Sequence, residues 1–110
     1  MNELIIIEKS KDCYKYLHNA LKYFPKSEKF VLSADIRNTF FEMLSLFLVA
    51  NKSQYKKKTL YEADVKLDLL RFKIRVAHEL EHLKTKQYEI LSNQLTEIGK
   101  MLGGWIKSAK

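Results

Sequence analysis

The chain has 110 residues, of which 46% are hydrophobic and 30% charged, with only three Gly and one Pro. This length supports one domain with a true core, spanning 1–110, and this balance excludes a linker or a low-complexity tail. A formal net charge of +7 and a pI near 9.5 favour polyanionic partners, either nucleic acid or an acidic protein surface.

The opening stretch "MNELIIIEKS" has an acidic residue and no basic n-region, so no secretory signal is expected. The longest apolar run, "MLSLFLVA" (43–50), is less than half of the roughly 20 residues a membrane-spanning helix needs. The single cysteine, Cys13, has no intramolecular partner for a disulfide. These features suit a cytoplasmic protein without a membrane partner.

Four helices are expected, at about 11–24, 27–51, 60–83 and 86–105. The first starts after Ser10 as N-cap and carries Tyr14, Leu17, Leu21 and Phe24 at three- and four-residue steps, until Pro25 ends it. The preceding "LIII" fits either an extended arm or a further helical turn. The second helix begins near Ser27, with Phe30, Ala34, Phe41, Leu44 and Leu48 on one side. Phe40, Met43 and Phe47 widen that apolar surface. Thr59-Leu60-Tyr61-Glu62 spells a capping box for the third helix. Thr85 can cap the fourth, in which Tyr88, Leu91, Leu95, Ile98, Leu102 and Trp105 keep heptad spacing. Gly103-Gly104 marks its weakening end, Trp105 closes the base of the core, and Gly99 permits close helix approach. Helices of these lengths on short loops predict an all-α, antiparallel up-down-up-down four-helix bundle.

The third helix divides into three stripes at about 100° per residue. Leu60, Ala63, Leu67, Leu70, Ile74 and Ala77 form one apolar seam. Val65, Leu69, Phe72, Val76 and Leu83 form a second, nearly opposite. Asp64, Asp68, Arg71, Arg75, His78 and His82 run between them, with Asp68 and Arg71 placed for an i,i+3 pair. Either both neighbouring helices wrap this helix within one subunit, or the second seam is an oligomer interface built on Val65, Leu69, Phe72 and Val76. Self-association is the favoured expectation.

His78-Glu79-Leu80-Glu81-His82 spells H-E-x-x-H. Zinc hydrolysis needs a third protein ligand and an aligned strand edge as well, and the sequence supplies neither beyond Glu89 or Glu97 as guesses. The two histidines simply continue the polar stripe. Arg71-x6-His78 and Arg75-x6-His82 also fit the loose R-x(4–6)-H spacing of HEPN-type RNases, an alternative in which Arg steadies a phosphate and His moves a proton. No catalytic residue, metal site or cofactor is assigned on these patterns.

Positive charge concentrates in two places. Segment 52–61 holds Lys52, Lys56, Lys57 and Lys58 with no acid, and segment 84–110 carries five lysines against Glu89 and Glu97. Lys52, Lys56, Lys57, Lys58, Lys100 and Lys107 are therefore the candidate nucleic-acid contacts. Such contacts would be made mostly to phosphates, be weakly sequence-specific and depend steeply on salt. Tyr55 could stack on an unpaired base, although a solvated loop tyrosine is the commoner case.

Three stretches carry a family resemblance: "FPKSEKFVLSADIR" (24–37), "LYEADVKLDLLRFKIRVA" (60–77) and "EIGKMLGGWIK" (97–107). Together they resemble the accessory variability determinant (Avd) proteins of diversity-generating retroelements. Those belong to a wider group of bacterial four-helix proteins that includes products of ribosomal RNA intervening sequences. The resemblance covers about residues 10–107. It implies a bundle assembled as a homopentameric barrel with a basic outer surface, without catalytic activity of its own. It further implies partnership with a reverse transcriptase and its template RNA or cDNA during mutagenic retrohoming. Arg71 and Arg75 match the family's motif arginines and are the implied polymerase contacts. The ribosomal branch shares the bundle, so a ribosome-associated four-helix protein stands as a second alternative.

Overall fold

The computed structural model describes residues 3–110, with side chains from residue 5 onward. The first two residues of the opening stretch lie outside that span. Four helices make up the fold: α1 (Glu3–Leu21), α2 (Leu32–Lys52), α3 (Lys57–Glu79) and α4 (Thr85–Ser108), with a short 3-10 turn at Lys26–Glu28 between the first two. Each packs on its neighbours in sequence and α4 closes the ring against α1, while across the diagonal Phe47 of α2 and Trp105 of α4 bring their ring centres to 6.3 Å in the core. The result is an all-α four-helix bundle, 43 × 24 × 19 Å. Among the described residues no helix is long and apolar enough to cross a membrane.

Helix ends depart from the sequence expectations for identifiable reasons. Ser10 caps nothing: α1 begins at Glu3, so Ser10 is a mid-helix residue fully buried in the core, and "LIII" is helical. The helix stops at Leu21, four residues before Pro25, which has no N–H to offer the Leu21 carbonyl and whose ring would clash with it. The amides of Tyr23 and Phe24 instead close tight turns onto Ala20 and Leu21, each at 3.2 Å. Ser27 falls within the 3-10 turn, which moves the start of α2 to Leu32.

The buried face of α2 is shifted onto the residues expected only to widen it, with Leu44 of the expected stripe packed at its edge. Ile36, Thr39, Phe40, Met43, Phe47 and Ala50 enter the core. Phe30, Phe41 and Leu48, expected to lead the buried stripe, are exposed. Both stripes have helical spacing. The one that wins places Phe40 and Phe47, both fully buried, toward the bundle axis, where large rings fill the most volume.

The expected capping box at Thr59 is not used. Helix α3 already starts at Lys57, and the carbonyl of Lys110 accepts hydrogen bonds from the amides of Lys56 (2.9 Å) and Lys57 (3.2 Å). A backbone group from the far end of the chain thus satisfies amides that a helix start leaves open. Thr85 likewise lies inside α4; the Gln87 side chain accepts from the amide of Lys84 at 3.0 Å and closes that terminus. Helix α4 runs through Gly103-Gly104 to Ser108, held by buried Leu102 and Trp105. The close approach expected at Gly99 is present, since a Cβ there would sit 3.4 Å from Leu67 Cδ2.

Helix α3 ends in a Schellman motif. The amide of His82 reaches the Ala77 carbonyl and that of Glu81 the His78 carbonyl, both at 2.9 Å, with Glu81 at φ 66°. This left-handed position normally takes Gly, because a Cβ there crowds the following carbonyl. By contrast, Gly103 stands in a helix interior where an added Cβ would meet nothing within 4 Å. The two positions yield one paired prediction. Glu81→Gly and Gly103→Ala should each raise unfolding free energy by about 0.5–1 kcal/mol, measured by urea denaturation; a loss from either would refute the backbone reading.

Candidate functional site

The α2–α3 connection and the C-terminal end of α4 meet at one pole of the bundle, joined by the Lys110 carbonyl. This gathers Lys52, Lys56, Lys57, Lys58 and Lys107 together, while Lys100 lies about two turns further up α4. The five lysines other than Lys56 are exposed, and among the described residues none of them is paired with a carboxylate. Lys56 has a separate task. Its Nζ donates to the carbonyls of Ala50 (2.8 Å) and Ser53, closing the end of α2. Lys110, which sequence reasoning passed over, joins the group through its backbone contact; its spacing of three from Lys107 was the available signal. Tyr55 is exposed in the same connection.

Lys57 and Lys58 occupy the first turn of α3, which contains no acid. Cations there oppose the helix dipole, a position where acids are normally favoured by roughly 0.3–1 kcal/mol. They add nothing to the helix, yet they raise the positive potential of this pole. Lys52 and Lys107 sit in the last turns of α2 and α4, where the dipole does favour them.

A second feature lies on the flank. Val65, Leu69 and Phe72 are 57%, 41% and 55% exposed, and Val76 is half-buried. Neither neighbouring helix wraps this seam. It continues across a groove of about 1000 Å³ onto Phe41, Leu46 and Val49 of α2, edged by the Lys66–Glu42 ion pair at 3.1 Å. Leu83 departs from the expected seam. Since α3 stops at Glu79, Leu83 belongs to the following turn and is 3% exposed, packed into the core.

The polar stripe is rearranged as well. Arg71 does not pair with Asp68; its Nη2 donates to Thr96 Oγ1 of α4 at 3.1 Å. The guanidinium of Arg75 lies 5.6 Å from the centre of the Phe72 ring. Both arginines line a cleft of about 350 Å³ between α3 and α4, with Asp68, Tyr88 and Ser92. The H-E-x-x-H spelling straddles the helix end, so its imidazoles part company. His78 stacks on Tyr88, with ring centres 4.3 Å apart and planes 6° from parallel. His82 Nε2 lies 3.0 Å from Glu28 Oε2 and links the α3–α4 turn to the 3-10 turn. Among the described residues no cluster of three His, Cys, Asp or Glu side chains could hold a metal ion. The Cys13 thiol, enclosed in the core, is pushed up to about 12 by burial and is not a reactive nucleophile at neutral pH.

Partial burial, and secondarily the neighbouring Asp68 carboxylate, raise the pKa of Asp64 above its ordinary value. An acid whose folded pKa is raised costs stability once it ionises. The cost is absent below about pH 4, the ordinary carboxylate value, and complete above the folded pKa. Asp64→Asn should therefore raise the melting temperature at pH 7 and leave it nearly unchanged at pH 3. Equal shifts at both pH values would contradict this.

Comparison with known proteins accords with this architecture. A crystal structure of a protein of unknown function from the S23 ribosomal protein family of Bacteroides thetaiotaomicron VPI-5482 superposes with a TM-score of 0.87. It is 23% identical, over 98% of this chain and 100% of the other; at that identity the likeness concerns the fold. A search of curated proteins finds no match. The family profile described as bAvd-like matches residues 4–109, essentially the whole bundle. The chain belongs to the bAvd-like family.

Proposed function

We propose that this protein is a non-catalytic accessory factor of a diversity-generating retroelement. In this reading it acts in the cytoplasm as a homo-oligomer, a pentamer by family resemblance, and binds the reverse transcriptase together with template RNA or its cDNA. The observation that carries the proposal is the gathering, at one pole of a bAvd-like bundle, of lysines that form no ion pair among the described residues. Two of them stand against a helix dipole, an arrangement that favours an external polyanion over the fold's own stability. Lys52, Lys57, Lys58, Lys100 and Lys107 supply phosphate contacts, with Lys110 beside them and Tyr55 exposed for stacking. Lys56 contributes positive potential from its capping position.

Arg71 and Arg75 are the proposed polymerase contacts. They stand exposed on one cleft, and neither is held by an acid of its own helix. Val65, Leu69, Phe72 and Val76 provide the surface between subunits. The HEPN-type alternative ranks second in this reading, since His82 is engaged by Glu28 and His78 is stacked flat on Tyr88.

Neutralising Lys57, Lys58 and Lys107 together, each to Gln, tests the nucleic-acid role. Affinity for single-stranded RNA should fall at low salt, and the slope of log K against log salt should flatten by about two. The melting temperature should hold or rise, since two of the three charges oppose the dipole. Unchanged RNA affinity and slope, measured by fluorescence anisotropy, would remove the lysine pole from the account.

A further inference from the structure

The opposite pole carries a second cationic feature, independent of the lysine cluster. The N-terminus of α2 opens into a cleft of about 300 Å³ whose lining includes Lys22, Lys26, Lys29, Arg37, Phe24 and Ser33. Ser33 is only 2% exposed, and its hydroxyl has no hydrogen-bond partner among the described residues. A buried polar group left in that state costs about 1–3 kcal/mol. No side chain caps the helix at Val31, and the amide of Asp35 is the first of α2 to reach a backbone carbonyl, that of Val31 at 2.9 Å. The preceding amides of Leu32, Ser33 and Ala34 carry the positive end of the helix dipole.

Neither nearby acid is among the residues that line this cleft. Glu28 is engaged with His82 and Asp35 with Lys73, each at 3.0 Å. Among the described residues Lys22, Lys26, Lys29 and Arg37 form no ion pair, and Lys29 instead lies 5.4 Å from the centre of the Phe30 ring. Four cations, an uncapped helix start and an unsatisfied buried hydroxyl thus converge on a cleft whose lining contains no acid.

We propose that this cleft is a phosphate-binding site. A phosphate group at the helix start accepts from the open amides and the Ser33 hydroxyl, while Arg37 and the lysines neutralise it. The site is roomier than a bare phosphate group requires, which suits a phosphate borne by a nucleoside. The inference does not depend on the lysine pole: a chain with no RNA affinity there would still hold this cleft.

The test is amide NMR on the full chain, titrated with inorganic phosphate, with adenosine monophosphate, and with a short oligonucleotide lacking terminal phosphates. Saturable shifts are expected at Leu32, Ser33 and Ala34 with inorganic phosphate, and not with potassium chloride at matched ionic strength. Lys26 and Lys29 are exposed, so the double variant K26Q/K29Q leaves the core intact; it should weaken phosphate binding about tenfold. Ser33→Ala should weaken it too without loss of helicity. Saturation by the monophosphate alone would identify a free phosphomonoester as ligand, and saturation by the oligonucleotide as well would identify the nucleic-acid backbone. Shifts no larger than those from chloride, or phosphate binding unaltered in K26Q/K29Q, would overturn the proposal.

Discussion

Helix α3 has more apolar surface than one bundle core can take up. Leu60, Ala63, Leu67, Leu70, Ile74 and Ala77 fill the interior against α2 and α4. That commitment turns Val65, Leu69 and Phe72 outward, because a helix cannot rotate to hide two nearly opposite seams. Covering the exposed part of each outward side chain would gain on the order of 1 kcal/mol. The α2 side of the groove adds Phe41 and Val49 to the same surface. In the proposed assembly a second copy of the chain covers this patch.

The same packing arranges the charges. Since α2, α3 and α4 alternate in direction, the end of α2, the start of α3 and the end of α4 share one pole, and their lysines arrive there together. The Lys110 carbonyl does for α3 what a capping side chain would otherwise do, which leaves the first turn free to carry Lys57 and Lys58. At the other pole, the Glu28–His82 contact ties the two turns across 54 residues of sequence. Apolar contacts therefore hold the shape, and surface ion pairs such as Lys9–Glu97 add little to it. Lysines gather at both ends of the bundle as well as along its helices.

Much of the bundle was legible from periodicity. The α3 core seam and the heptads of α4 from Leu91 to Trp105 are buried where spacing put them. On α2 two apolar stripes competed, and volume at the bundle axis decided between them; spacing alone carries no such information. Helix ends were the weakest reading, since their partners are remote in sequence (Lys110 for α3) or break a local rule (Glu81 at positive φ). The lysine pole could be assembled on paper from charge counts and topology. The cleft at Ser33 could not, because it depends on a hydroxyl whose lack of a partner only packing reveals. The polar stripe looked continuous through His82 until the helix ended at Glu79.

The central claim is that the outward seam of α3 exists to be covered by further copies of this chain. Sedimentation velocity of the purified protein, beside a Phe72→Glu variant, tests it most directly. The account predicts a defined oligomer for the parent and a helical monomer for the variant. A parent chain that sediments as a stable monomer at high concentration would contradict it.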